Sequence, residues 1–429
     1  MKVIIIVIVQ IGIFLSLVYC QSCPSSSATN SSPSSSCGSC DRSSSTNDAE
    51  SIETSVTQFS TAFYGVASQN ASANMIISPI SLQIALGLLY AGAKGTETIK
   101  TIQKSLKFPA TQSQNAIEQQ FHKLINNLTG EPSIQLADTI FLNQKFQIQP
   151  EFRNTIQTNF DATIQSINYE NPSIAATTIN EWITLKTNNT ISNIISSADL
   201  SSVTELVLIN TLYFHNEWTF PFSTSATIKQ AFFPNGRCSD IAVEVDMMQN
   251  TKFFNYGNIS SLNAQVIALP FRQSDINLYI VLPNKECKGL EEVEMNLSTF
   301  DLKQLQEQLQ ATDVALSIPK FTINTNLNLQ EPLVNLGLGS LFDGSANLNG
   351  ILQSPVAISV SKALQASYIN VNENGVTASA ATAIISTRLA IFNPAQPLAF
   401  VVNRPFLFML ATDEIILFIG RVTNPNLIQ

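Results

Sequence analysis

Histidine and charge are what this chain has least of. Its 429 residues include two histidines, His122 and His215. Histidine is the commonest acid–base side chain and a main zinc ligand, so little is left for such chemistry. There is no Gly-x-Ser-x-Gly elbow, no His-Glu-x-x-His helix and no Walker loop. A Ser-His-Asp triad needs only one histidine. However, His122 falls on a helical pattern beside Lys123 and His215 follows a strand end, so both read as surface or hydrogen-bonding side chains. No enzyme activity, cofactor or metal site is expected. Charged residues make up 12%, about half the usual share, so Asn, Gln, Ser and Thr must supply much of the wet surface. The net charge of −9 argues against nucleic acid or an anionic membrane as a partner.

Long apolar runs are equally scarce. Met1-Lys2 followed by Val3 to Val18 is short of the ~20 residues a membrane span needs, and Gln10 interrupts it. It reads as a secretory signal over 1–20, cleaved before Gln21, which makes the protein extracellular. Gln21 to Asn47 is Ser-rich and apolar-poor, the composition of a disordered tail. The tail holds Cys23, Cys37 and Cys40. A fourth metal ligand is missing, so a disulfide within the tail or to a second chain fits better. Six cysteines less Cys20 leave five, an odd number. Cys238 and Cys287 are the two in the body, and their pairing is left open. Asn-x-Ser/Thr sequons stand at Asn30, Asn70, Asn127, Asn188, Asn258 and Asn296, glycosylation candidates in a secreted chain.

At about 150 residues per domain the length would give two or three domains. No Pro/Gly/Ser break after residue 48 supports a division. Ile52, Val56, Phe59, Phe63 and Val66 lie at helical spacing. Ser78-Pro79 caps and opens a second helix. Ile117, Phe121, Leu124 and Leu128 mark another. Strands are expected at 134–141 and 162–169, with a helix at 151–160 between them and a further helix at 173–187. Glu205 to Phe214 is nearly all apolar, as a strand buried on both faces should be. Short strands are expected at 243–248, 265–269 and 278–282, and helices at 302–309 and 329–336. Early helices and late strands without strict βαβ alternation favour an α+β fold.

One late segment is the most informative. From Val376 to Thr387 there is no charge, proline or glycine. Such a stretch suits either an exposed loop or a buried strand, and by composition alone it reads equally as an Ala/Ser-rich linker. Strand-like runs flank it: 366–372 before, and 398–402, 405–411 and 415–422 after, with Thr412 to Glu414 as a hairpin corner. Long loops between strands of a compact domain are uncommon and usually functional.

Glu373-Asn-Gly-Val-Thr-Ala-Ser-Ala-Ala-Thr382 resembles the hinge of the serpins, the serine-protease inhibitors. Asn403-Arg-Pro-Phe-Leu-Phe-Met and Phe418-Ile-Gly-Arg-Val-Thr-Asn-Pro425 are similar to that family's closing signature. The motifs Asn74 to Ser81 (second helix), Asn180-Glu-Trp182 (helix over the main sheet), Leu208 to Trp218 (central strand) and Ala315 to Phe321 (another strand) match in order. The resemblance runs from about Asp48 to the C-terminus. It implies a single serpin domain over 48–429, with several helices, mixed β-sheets and an exposed reactive-centre loop at about 373–397.

By the resemblance, a target protease takes the loop as substrate, and the cleaved loop inserts into the main sheet and traps the acyl-enzyme. The hinge is Glu373, Gly375, Val376, Thr377, Ala378, Ser379, Ala380, Ala381 and Thr382. Val376 replaces the usual Thr or Ser, and Thr377 the usual Glu. Arg388–Leu389 is the favoured scissile bond, with Leu389–Ala390 as alternative. A trypsin-like protease is therefore favoured over a chymotrypsin-like or elastase-like one. Ser78, Ser81, Asn210, Trp218 and Gln365 match the region where the sheet opens, and Gln365 stands where the family has histidine. The helix at Ile117 to Leu128 offers only His122 and Lys123, so no heparin site is expected. The chain is expected to be a monomer. The rival reading is a non-inhibitory serpin serving as a carrier, storage or receptor-binding protein.

Overall fold

A computed structural model describes residues 51–69, 73–239, 241–377 and 396–427. Its first helix, α1 (Ile52–Ala67), begins at Ser51, whose hydroxyl accepts a hydrogen bond from the Thr54 amide at 3.3 Å. Ile52, Val56, Phe59 and Phe63 form its buried stripe. A short strand, β1 (Met75–Ile77), precedes α2 (Pro79–Gly92). Ser78 caps α2 by accepting from the Ser81 amide at 3.4 Å, and Pro79 takes the first helical position. Almost every α2 residue is buried, as expected of a helix that is apolar all round.

The chain continues through α3 (Thr96–Ser105), α4 (Gln114–Thr129), β2 (Ile134–Asn143), α5 (Pro150–Phe160), β3 (Thr163–Ile167) and α6 (Pro172–Lys186). Strands β4 (Leu206–Phe214), β5 (Asn216–Glu217), β6 (Ile228–Phe232), β7 (Val243–Ile259), β8 (Ala264–Pro270) and β9 (Asn277–Pro283) follow. After α7 (Gly289–Asn296) and α8 (Leu302–Glu307) come β10 (Gln310–Pro319), β11 (Phe321–Asn328), α9 (Gln330–Leu333) and α10 (Ser340–Asp343). The last strands are β12 (Val360–Val371), β13 (Gly375–Val376), β14 (Leu398–Val401), β15 (Phe406–Ala411) and β16 (Ile416–Val422).

Among the described residues these strands form two sheets. One runs β1-β16-β15-β9-β8-β7-β10-β14, with β6 on β7. The other runs β3-β2-β4-β12-β13-β5, with β11 on β12. Helix α2 lies between them and packs on β2 and β4 of one sheet and β16 of the other. The second sheet's opposite face is covered by α6, whose Ile179 and Ile183 meet Phe141, Val207 and Ile209. β4 is thus buried on both faces at all nine positions. Asp48–Gln429 forms one compact unit of helices and mixed sheets, an α+β fold.

Several elements differ from the sequence reading for identifiable reasons. Met75–Ile77, read as no element of its own, is a strand paired with β16 just ahead of the expected helix start at Ser78-Pro79. β7 does not stop at Met248. Its polar second half pairs with β10 and then β8, so cross-strand bonds extend it where apolar alternation ends. α3 and β6 bury few apolar residues and gave no periodic signal. The helix expected to reach Leu336 loses regular geometry after Leu333, and Gly337 takes φ 90°. Cys238 and Cys287 are bonded, with Cα atoms 5.1 Å apart across a separation of 49 residues. Closing such a loop is worth about 4 kcal/mol in the chain-entropy model.

Candidate functional site: the hinge and the sheet seam

Strands β4 and β12 lie side by side in parallel, from Leu206 against Val360 to Leu212 against Ser367. Above that point both strands continue, to Phe214 and Val371, but no longer pair with each other. β12 reaches Val371, which pairs with Val376 of β13, while β13 pairs on its other side with Asn216–Glu217 of β5. The hinge therefore turns back at 372–375, closed by the Asn372 amide donating to the Gly375 carbonyl at 3.0 Å. Gly375 is required for close approach. A Cβ there would run into the Asn216 carbonyl and lie 2.8 Å from the Glu217 Cα. Thr377 takes φ 55°, a left-handed conformation that costs a β-branched residue roughly 1–2 kcal/mol. Its amide donates to the Asn370 carbonyl at 2.7 Å, and its buried hydroxyl has no partner among the described residues.

Trp218 holds the turn from below. Its Nε1–H donates to the Asn372 carbonyl and its amide to the Asn374 carbonyl, each at 2.9 Å. The ring stacks on Phe271 at 4.6 Å. Glu373 is anchored by Lys320 at 3.0 Å and by the Thr227 hydroxyl at 2.9 Å. Burial alone would raise the Glu373 carboxyl. The backbone amide, Lys320 and Thr227 outweigh it and hold the group below the usual carboxylate range.

Lower in the seam, four buried polar side chains meet under the sheet. Gln365 Nε2 donates to the Ser78 carbonyl at 2.7 Å and to Asn210 Oδ1 at 2.8 Å, and its Oε1 accepts from the Ser78 amide at 3.1 Å. Ser81 Oγ donates to Asn210 Oδ1 at 3.0 Å. Ser78 Oγ donates to the Leu417 carbonyl at 2.8 Å, which ties the cluster to the other sheet. Asn210 Nδ2 donates across the seam to the Leu364 carbonyl at 3.3 Å. Glutamine both donates and accepts, so the replacement of histidine leaves the cluster connected.

The sequence reading missed Asp138. It lies on β2 directly opposite Asn210 and is 5% exposed, and neither carboxyl oxygen has a hydrogen-bond partner among the described residues. Burial drives its carboxyl well above the ordinary range. The available signal was one acidic residue inside an apolar strand.

Other expected residues are more dispersed. His122 is exposed and bonded to Asn126 at 3.0 Å, while His215 is exposed and stacked on Tyr213. Asn127, Asn188 and Asn258 are exposed and Asn296 half-exposed. Asn30, Asn70, Ala378 to Thr382, Arg388, Leu389 and Ala390 lie outside the described residues. No helix among the described residues is long and apolar enough to cross a membrane.

The model of the family Serpin (serine protease inhibitor) matches residues 54–425. The bovine leukocyte elastase inhibitor is 31% identical over 371 residues, which cover 85% of this chain and 96% of that protein. Antitrypsin of Bombyx mori is 29% identical over 365 residues, 84% and 91% of the two chains. Among solved structures, Serpin48 of the insect Tenebrio molitor superposes with a TM-score of 0.79 at 29% identity, covering 89% of this chain and all of that one. Human thyroxine-binding globulin, complexed with thyroxine, gives 0.77 at 25% identity over 86% of this chain and 98% of that one.

Proposed function

The chain belongs to the serpin family, serine protease inhibitors and not enzymes, and on that premise we propose that it is a secreted suicide inhibitor of a serine protease. The observation that carries this reading is the hinge. Val376 is already a buried strand residue beside β5 and β12, and it begins a stretch that is uncharged through Thr387. As a strand, Val376, Ala378, Ala380, Thr382, Ile384 and Ser386 share one face, and none of them would bury a charge. The seam between β4 and β12 is the place for that strand, since its interior groups are polar and exchangeable.

The energetics favour insertion. About ten new ladder hydrogen bonds at roughly 0.5–1.5 kcal/mol each give on the order of 10 kcal/mol. That equals the stability of a whole domain, ~5–15 kcal/mol, so the uncut protein is kinetically held. The protease attacks the loop carbonyl and forms its acyl-enzyme. Insertion of the freed hinge then carries the enzyme away before water completes hydrolysis. Arg388 before the scissile bond suits the acidic specificity pocket of a trypsin-like enzyme, and Met1 to Val18 provides for export.

A second reading, as a carrier, has one observation in its favour. A cleft of about 1440 Å³ between α1 and α7 is lined by Lys285, Arg404 and Arg421 together with Glu286, Glu291 and Glu294, and the thyroxine-binding relative of the same fold is complexed with thyroxine. Mixing the chain with a panel of serine proteases separates the two. Inhibition gives a covalent complex that survives boiling in SDS, and mass spectrometry of the released peptide finds Leu389 at its N-terminus. A peptide beginning at Ala390 moves the cut to the alternative bond. Loop cleavage with full release of active protease overturns the inhibitory reading.

A further inference from the structure

Asp138 has no part in the reading above, yet it sits one strand away from the seam. Asp138, Asn210 and Gln365 form a single row across β2, β4 and β12, all on the face toward α2. Asn210 turns its amide away from Asp138, to the Leu364 carbonyl across the seam. Asp138 is thereby deprived of the nearest donor.

No charge faces it from any packed element. β2, β4 and α2 contain no Lys, Arg, His or Glu. On β12, Lys362 and Tyr368 point to the opposite face from Gln365, and Lys362 pairs with Asp199. On α4, His122 and Lys123 are exposed, and the buried Glu118 faces Asn159 of α5. A carboxylate without donor or counter-charge in an apolar core is replaced by the neutral acid. Burial is the sole cause of its upward shift.

We propose that Asp138 couples opening of the β4–β12 seam to release of one proton. With the seam closed, Asn210 is engaged by Gln365 and Leu364, and Asp138 holds its proton. When β12 separates from β4, the Asn210 amide loses the Leu364 carbonyl. Its direct cross-strand neighbour is then the best acceptor. The Asp138 O–H bond breaks, the proton leaves to solvent, and Asn210 Nδ2–H donates to the new carboxylate. The closed state has the raised proton affinity. Closure is therefore fully favoured below the ordinary carboxylate range and weakens as pH rises through the raised value. Within that window the opening equilibrium gains up to about tenfold per pH unit. Acid holds the seam shut, and neutral pH loosens it.

This rests on the inhibitory reading only in that the seam must open. The test compares the wild-type full chain with Asp138→Asn, and with Asp138→Leu in case the amide misfolds, at pH 5 to 8. One readout is the thermal midpoint. The other is the rate at which a synthetic peptide of residues 376–387 enters the sheet, followed on native gels. The expected result is a midpoint advantage of the variant that grows with pH. Peptide entry should speed up with pH in the wild type and stay flat in the variant. A midpoint difference independent of pH, or peptide entry with the same profile in both proteins, overturns the proposal and leaves the inhibitory reading intact. Entry into neither protein at any pH overturns both. Diverging profiles without protease trapping overturn only the inhibitory reading.

Discussion

The strands β15 and β16 and the β4 side of the seam with β12 are buried at every position but built from different residues. In β15 every side chain is apolar and hidden, and Phe321 packs its ring against Phe406 and Phe408 at 5.8 and 5.4 Å. β16 pairs antiparallel with it along nearly its whole length. The seam is parallel and has Asn210, Thr211, Gln365 and Ser367 among its buried residues. Parting β15 from β16 would expose aromatic surface, which water cannot compensate. Parting the seam exposes groups that water, or another strand, can satisfy in turn. Burial therefore does not tell how permanent a strand pair is, whereas the polarity of what is buried does.

The comparison can be broken most forcefully in the first region. Phe408→Ala removes a fully buried ring and should cost about 3–5 kcal/mol, read as a lower urea midpoint. A loss below about 1 kcal/mol would mean that β15 is not the fixed part of the molecule. In the seam, Gln365→Ala strips partners from the Ser78 amide and from Asn210 Oδ1. The expected loss is about 1–3 kcal/mol, with faster entry of the hinge peptide. Unchanged entry would show that the polar cluster does not hold the seam. The smallest effect is at the hinge. Glu373→Gln should remove at most about 1 kcal/mol. The carboxyl is held below its ordinary range, so its stabilisation is complete above that range and is lost as pH falls through the lowered value. Thermal scans from pH 6 to 3 should flatten in the variant. Asp138 works in the opposite direction, so the two carboxyls separate on one pH axis.

What could be read from the chain follows from how local each cause is. Ser78-Pro79 caps α2 through its own neighbours, and the apolar run of β4 marks a strand buried on both faces. β6 and the polar half of β7 exist because other strands pair with them, which no window of sequence contains. The family motifs carried Ser78, Ser81, Asn210, Trp218 and Gln365 to one neighbourhood. Their bonds join residues up to 339 positions apart, beyond the reach of periodicity. Asp138 stayed hidden because a single acid in an apolar strand reads as facing outward. Only its register against Asn210 turns it inward.

The chain has two tryptophans, and their positions have a practical consequence. Trp218 lies beneath the hinge with its indole N–H on the Asn372 carbonyl. Trp182 rides on α6, edge-on to Phe141 of β2 at 5.8 Å. One indole thus watches the top of the sheet and the other the helix that covers it. A strand entering between β4 and β12 would disturb both environments, with no indole elsewhere to dilute the signal. Native ultraviolet emission should therefore follow sheet opening in real time without an attached dye, and replacing either tryptophan with phenylalanine would assign each phase to its end of the sheet.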